Sequence, residues 1–361
     1  MKTSVFRAVF AGLSLAVLSP TSAIATQRPI QSLAQWIPDS DVTADEVRRS
    51  PAQTPQQNSP QTFQQPAPSS VNWPDFGSPR LNQQLRHYWR YVQTLGTPDV
   101  LIVGSSRALQ GLDPHILSHQ LNRQGRGKLR VYNFGINGAT AQVVNWLLGD
   151  LLGRDSLPPL ILWAKGSRAF NNARPDRTFQ SIATSPGYQK LQQGWRPPWS
   201  SFQNPDPSRA SFFPGSDLTF NGFLRDQRQF NPARYYQDVP KIAGQYDGSY
   251  VPFVLQSGPQ QRAIATLSQT LANHPDAPSL VLINLPLSRD FLDPARRRYE
   301  QQFRQFIGSV QNQTQWMVRD YLDLWTTRDN YFADPSHINL WGAADLSRRL
   351  AKDSNIPWPT P

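Results

Sequence analysis

Three short stretches carry the residue types that could do covalent chemistry. Residues 101–111, LIVGSSRALQG, place Ser105 and Ser106 behind a glycine where an apolar run gives way to a helical pattern. A serine at such a turn sits beside backbone N–H groups at the opening of a helix, donors able to stabilise an oxyanion as a hydroxyl attacks a carbonyl. Serine also caps helices, so Ser105 or Ser106 could serve only the following helix. Residues 132–140, YNFGINGAT, put Gly135 and Gly138 at a second turn of this kind. Glycine lets the backbone approach a ligand and leaves an N–H unshielded, although glycines are ordinary in turns. Residues 333–343, ADPSHINLWGA, set Asp334 three residues before His337 on a Pro-containing turn. That pair is either half of an acid–base device or the cap of the helix that follows.

The elements needed to bring these stretches together are legible in the hydropathy pattern. Apolar runs at 99–104, 129–135, 160–163, 280–287 and 317–324 lack period-two alternation, which predicts strands covered on both faces, as in a parallel sheet. Helical patterns fall at 107–124, 140–152, 260–273, 294–311 and 339–352. Strand alternating with helix predicts a doubly wound, flavodoxin-like α/β domain with a mostly parallel five-stranded sheet. Its serine, glycine and histidine turns then meet at the edge where ligands bind such sheets.

One interval breaks the alternation. Residues 172–250 hold nine prolines and fourteen aromatic residues, too rich a composition for a structureless loop, and are expected to fold as an insertion after the third strand. Emerging at the carboxyl edge, it is a candidate lid or substrate wall. Its aromatics, among them Trp195, Trp199, Phe212, Phe213, Tyr235 and Tyr236, could stack on sugars, but packing of the insertion itself is the first expectation.

Upstream of this body the composition changes. Residues 1–25 read as an export signal: Lys2 and Arg7 precede an apolar run that ends in small residues, with cleavage expected after Ala25. The run falls short of the roughly 20 residues that span a bilayer, so no stable membrane span is expected. Residues 26–72 read as a disordered linker rich in Pro and Gln, leaving 73–361 as the folded domain. The chain has no cysteine, which excludes disulfide staples and thiol chemistry, and its net charge of +11 suits an anionic envelope polymer as partner. Nucleic acid would suit the charge but not an exported protein. The sequence leaves oligomeric state undefined.

Taken in order, the motifs resemble those of the SGNH hydrolases, the GDSL-type lipase and esterase superfamily. Gly104-Ser105-Ser106 is similar to the first block, Gly-Asp-Ser, with Ser105 in place of the Asp; the resemblance makes Ser106 the nucleophile and an oxyanion-hole donor. Residues 137–140, NGAT, are similar to the second block, whose glycine donates to the oxyanion, a role that falls on Gly138. Residues 334–337, DPSH, match the last block, which implies His337 as general base and acid and Asp334 as its orienting carboxylate. The likeness runs from position 98 to about 350, without the insertion. The third block departs: where the family has Gly-x-Asn-Asp, this chain has KGSRAFNN. Either Arg168 donates to the oxyanion, or Asn171 reaches in from a shifted loop, or the donor is missing. Arg168 could also grip an anionic substrate group or pair with a carboxylate, and Arg107 is a further candidate for substrate contact.

Other residues attract weaker readings. His115 and His119 have a helical spacing that could hold zinc, but no further ligand stands near, and exposed helix residues are expected. Asp323 ends the fifth apolar run and reads as a turn residue; Asn312 begins a glycosylation sequon of a kind that arises often by chance. No cofactor or metal is called for. The resemblance implies an exported serine esterase or O-acyltransferase acting on acyl esters, acetyl among them, of envelope or secreted polysaccharide. The rival expectation is a glycan-binding or scaffolding protein on the same fold that has lost catalysis.

Overall fold

The computed structural model describes residues 72–153, 156–199, 216–239 and 252–360. The expected signal segment and nearly all of the linker lie outside them, as do Phe212 and Phe213. Five strands form one parallel sheet: β1 Val100–Gly104, β2 Val131–Gly135, β3 Leu160–Lys165, β4 Ser279–Asn284 and β5 Met317–Asp320, in the order β2-β1-β3-β4-β5. This is the doubly wound α/β fold, and the apolar runs explain it. Along β1, Leu101 and Val103 enter one core while Val100 and Ile102 enter the other, so a strand buried on both faces is apolar at successive positions rather than at alternate ones.

Ten helices accompany the sheet among the described residues: α1 Pro79–Leu95, α2 Ser106–Gly111, α3 Pro114–Arg123, α4 Ala141–Trp146, α5 Arg177–Ala183, α6 Pro186–Gln192, α7 Pro232–Asp238, α8 Pro259–Ala272, α9 Pro294–Gln313 and α10 Leu340–Ala351. Side chains of α1, α4, α8 and α9 build one core, and those of α2, α3 and α10 build the other.

The helix expected at 107–124 is two helices. Pro114 cannot continue the first, and Asp113 caps the second by accepting hydrogen bonds from the His115 and Ile116 N–H groups at 2.9 and 3.2 Å. The pattern expected at 140–152 is α-helical only to Trp146 and then widens into a π turn over Leu147–Leu151. Helix α1 has no counterpart in the sequence expectation, because its polar residues mask a buried stripe of Leu81, Leu85, Tyr88 and Val92. It is tied to the sheet by buried Gln84, whose amide donates to the carbonyls of Asn133, Gly135 and Gly222 at 3.0–3.1 Å. Strand β3 continues past Trp163, since Ala164 and Lys165 pair with Ile283 and Asn284.

The interval 172–250 is packed, where it is described, mainly as scaffold. Helices α5 and α6 lead into Trp195, which meets Trp73 edge-on and Phe76 at a tilt, and Trp199, which meets Tyr88 edge-on. Leu218 and Leu224 form an antiparallel bridge, and the Asn221 carbonyl accepts from Asn133 N at 2.9 Å, covering the edge of β2. Phe230 packs against Tyr235 and Tyr236 in the second core.

Candidate active site

Residues at the carboxyl ends of β1, β2 and β3 stand level, because Gly104 is in register with both Gly135 and Ala164. The chain reverses its direction of winding between β1 and β3, and an open α/β sheet presents its crevice at such a point. Gly104 makes the turn out of β1 possible. Its φ is +146°, and a Cβ there would stand 2.1 Å from the Ala164 carbonyl oxygen.

Ser105 precedes α2 with extended backbone but makes no side-chain cap hydrogen bond. Ser106, the first residue of α2, also does something other than capping: its Oγ lies 2.8 Å from His337 Nε2. On the far side of the imidazole, Nδ1 stands 2.8 Å from Asp334 Oδ2 and 3.0 Å from Oδ1. An ionised Asp334 can only accept, so Nδ1 carries the proton and Nε2 is left to accept from the Ser106 hydroxyl.

Neither Asp334 nor His337 caps α10. Asn339 does, accepting from Trp341 N and Gly342 N at 3.1 Å each. The Asp334 carboxylate turns back on its own loop and accepts from the N–H groups of Ser336 and His337 at 2.8 and 2.9 Å. Burial works against charge on this carboxyl, whose side chain is 14% exposed, but His337 and these N–H donors outweigh it and hold the group well below the usual carboxylate range. His337 is itself buried, 4% exposed.

The loop is fixed from outside. Phe332 and Ile338 bridge across it, Ser288 N donates to the Pro335 carbonyl at 3.1 Å, and the buried Asn339 amide donates to the carbonyls of Arg228, Asn330 and Phe332 at 2.8–3.1 Å. Asn339 escaped the sequence reading, although an Asn just ahead of a helical pattern is a cap signal.

Ser106 and His337 open onto a cleft of about 50 Å³, shared with Gly138, Lys165, Arg168 and Arg174. Gly138 has φ +67°, which favours glycine there. Arg107 lines the cleft too; its guanidinium donates to the Leu285 and Pro286 carbonyls at 2.9 Å and lies where a Cβ on Gly166 would be. Asn171 is not brought to the cleft. It is buried, its amide donates to the Pro252 carbonyl, and its Oδ1 accepts from Ala173 N and Val254 N. Of the two side-chain candidates from the altered block, Arg168 is the one at the cleft. Arg174 is the one described residue of 172–250 among those lining it.

The remaining candidates lie elsewhere. His115 and His119 are exposed on α3, and among the described residues no group of three or more His, Asp or Glu is placed to hold a metal. Asp323 pairs with Arg304 at 2.7 Å, and Asn312 is in the last turn of α9. No helix among the described residues is long and apolar enough to cross a membrane.

Compared with known proteins, the chain matches no family model and no curated protein. Among solved structures it is similar to a lipase/acylhydrolase from Enterococcus faecalis, at 14% identity over 70% of this chain and 93% of that one, with a TM-score of 0.35. It is also similar to a gut microbial diltiazem-metabolizing enzyme, at 10% identity over 72% of this chain and 47% of that one, with a TM-score of 0.36. Both likenesses are shallow, and the functional reading rests on the side-chain geometry.

Proposed function

We propose that the protein is an exported serine esterase or O-acyltransferase of SGNH type, acting on acyl esters of envelope or secreted polysaccharide. The observation that carries this reading is the continuous chain from the Ser106 hydroxyl through His337 to Asp334, with both links at hydrogen-bond distance. A neutral His337 Nε2 takes the Ser106 proton as Oγ attacks the ester carbon. The N–H groups of Ser106 and Gly138 receive the developing oxyanion, with Arg168 as the nearest substitute for the missing third-block Asn. Collapse of the tetrahedral intermediate expels the alcohol, which takes the proton from His337 and leaves an acyl group on Ser106. Water or a sugar hydroxyl then gives its proton to His337 and attacks the acyl-enzyme; Ser106 leaves, taking that proton from His337, and the neutral imidazole is restored. The small cleft suits a short acyl group such as acetyl, since about 50 Å³ holds on the order of a few waters.

A fluorophosphonate probe tests the reading. It labels Ser106 in the folded chain, and Ser106→Ala loses both the label and turnover of p-nitrophenyl acetate. Absence of labelling in protein shown to be folded overturns the assignment and favours a binding protein on the same fold.

A further inference from the structure

Away from the catalytic cleft, a larger pocket of about 310 Å³ has no part in the chemistry described so far. Its walls come from Gln229, from Asn330 and Tyr331, and from one face of α10, where Trp341, Ala344 and Arg348 recur at helical spacing. None of its lining residues borders the cleft at Ser106. Its volume falls in the range of small-ligand sites, and its form is fixed by the backbone around it. Gly342 lets the Asp329–Tyr331 turn close on α10, since a Cβ there would stand 2.4 Å from the Tyr331 carbonyl oxygen. Leu340 N donates to the Asp226 carbonyl and Phe230 N to the Phe332 carbonyl, both at 2.7 Å, which holds the segment bearing Gln229 in place.

The groups that line it are polar and unspent. Trp341 is 44% exposed, and among the described residues it pairs with no other ring and its indole N–H makes no hydrogen bond. A lone exposed Trp is ordinary; one that borders a pocket beside unpartnered polar groups is not. The side-chain amides of Gln229 and Asn330 are unengaged among the described residues, each offering two donors and an acceptor. Arg348 likewise makes no ion pair or hydrogen bond there: Asp345, on the preceding turn, is taken by Arg349 at 2.8 Å, and no carboxylate lines the pocket. A flat apolar ring, two amides and a guanidinium match a sugar ring that carries a carboxylate. The indole face covers the C–H side of the ring, the amides bond its hydroxyls and the guanidinium takes the acid. An anionic ligand also suits a chain of net charge +11.

We propose that this pocket is an ancillary site for an acidic polysaccharide, holding one uronate unit against Trp341 with its carboxylate on Arg348. The loop that carries Asp334 and His337 runs from Tyr331 to Leu340, so the pocket lies at both ends of that loop. Leu340 is three residues from His337, at most about 11 Å of chain. A polymer gripped here is retained near Ser106 by a unit other than the one that carries the ester. The inference goes beyond the acyl-transfer reading, and binding alone reads it.

The test is calorimetric titration of the full-length chain carrying Ser106→Ala, which removes turnover of any ester. The probes are hexamers of galacturonate and of mannuronate, each beside its neutral methyl-esterified form. At least one acid binds more tightly than its methyl ester by about tenfold or more. Adding Trp341→Ala weakens both forms by about tenfold or more, while adding Arg348→Gln brings the acid down to the affinity of the methyl ester. A merely structural role for Arg348 leaves the ratio of acid to ester intact. Equal affinity for acid and ester, binding that neither folded variant alters, or no binding at millimolar concentration overturns the inference. A concentration-dependent dimer that Trp341→Ala dissolves also overturns it, with a second copy of the chain as the occupant. These outcomes are independent of the fluorophosphonate result: absence of labelling at Ser106 overturns the acyl-transfer reading and leaves this site standing.

Discussion

At the scale of single residues, Asp334 and Lys165 are opposite cases of a group whose surroundings decide its charge. Asp334 has a folded-state pKa below its unfolded value of about 3.9, so the stability it contributes is present above that pH and is lost as pH falls toward its folded value. Replacement by Asn keeps the loop acceptor but removes the charge that fixes the His337 tautomer. Asp334→Asn is therefore less stable than the wild type at pH 7, the two converge as acid unfolding is followed below pH 4, and kcat falls on the order of 10³–10⁴-fold. Lys165 has its folded pKa depressed, so the unfolded chain binds the extra proton and the wild type gains stability as pH rises toward the unfolded value of about 10.4. Lys165→Met removes that cost: in chemical denaturation at pH 7, without added anions, it is more stable than the wild type by about 1–3 kcal/mol. The advantage shrinks above pH 10, and a loss of stability at pH 7 would contradict the assignment of Lys165 as a buried, uncompensated amine. The sequence exposed the two residues of DPSH because their spacing is local. Lys165 was hidden because its significance comes from β4 pairing and from Arg174, which are distant in the chain.

At the scale of elements, the site depends on how a short loop is clamped between β5 and α10. Asn339 does two jobs there, capping α10 with its oxygen and donating with its amide to two carbonyls of the loop and to that of Arg228, outside it. Asn339→Ala removes the cap and leaves buried acceptors without that donor, a loss of about 2–4 kcal/mol in denaturant unfolding. Because the same loop aims His337 at Ser106, kcat falls more than KM rises; an unchanged kcat would show that the loop holds its geometry without the clamp. Strands β1 to β4 were legible because each is largely apolar on both faces, and α8, α9 and α10 because their stripes are regular and begin at Pro or Asn. Where two signals competed, the pattern misled: Pro114 divides a continuous apolar stripe, and the buried face of α1 is interleaved with Gln, Arg and His. The pieces of 172–250 were legible in composition but not in placement. Their aromatics bind to cores formed by α1 and α10, whose proximity no local pattern encodes.

At the scale of the whole molecule, the net charge of +11 belongs to the body of the chain. Lys2, Arg7, Arg28, Arg48 and Arg49 are nearly balanced by Asp39, Asp41, Asp45 and Glu46, so the excess lies from residue 72 onward. Ion pairs such as Arg130–Asp99, Arg304–Asp320 and Arg319–Asp353 neutralise part of that body without lowering its net charge. A cationic body attracts a polyanion through its long-range field, and salt tests that attraction. Long-range attraction decays over a Debye length that falls from about 10 Å at 0.1 M to about 3 Å at 1 M salt, whereas contacts inside a cleft are screened much less. Raising sodium chloride across that range is therefore expected to lower kcat/KM on an acetylated polyuronate by about tenfold or more, chiefly through KM, while p-nitrophenyl acetate is turned over at a nearly constant rate. If polymer and p-nitrophenyl acetate decline in parallel, the surface charge does not serve substrate capture and the basic excess is a matter of solubility alone.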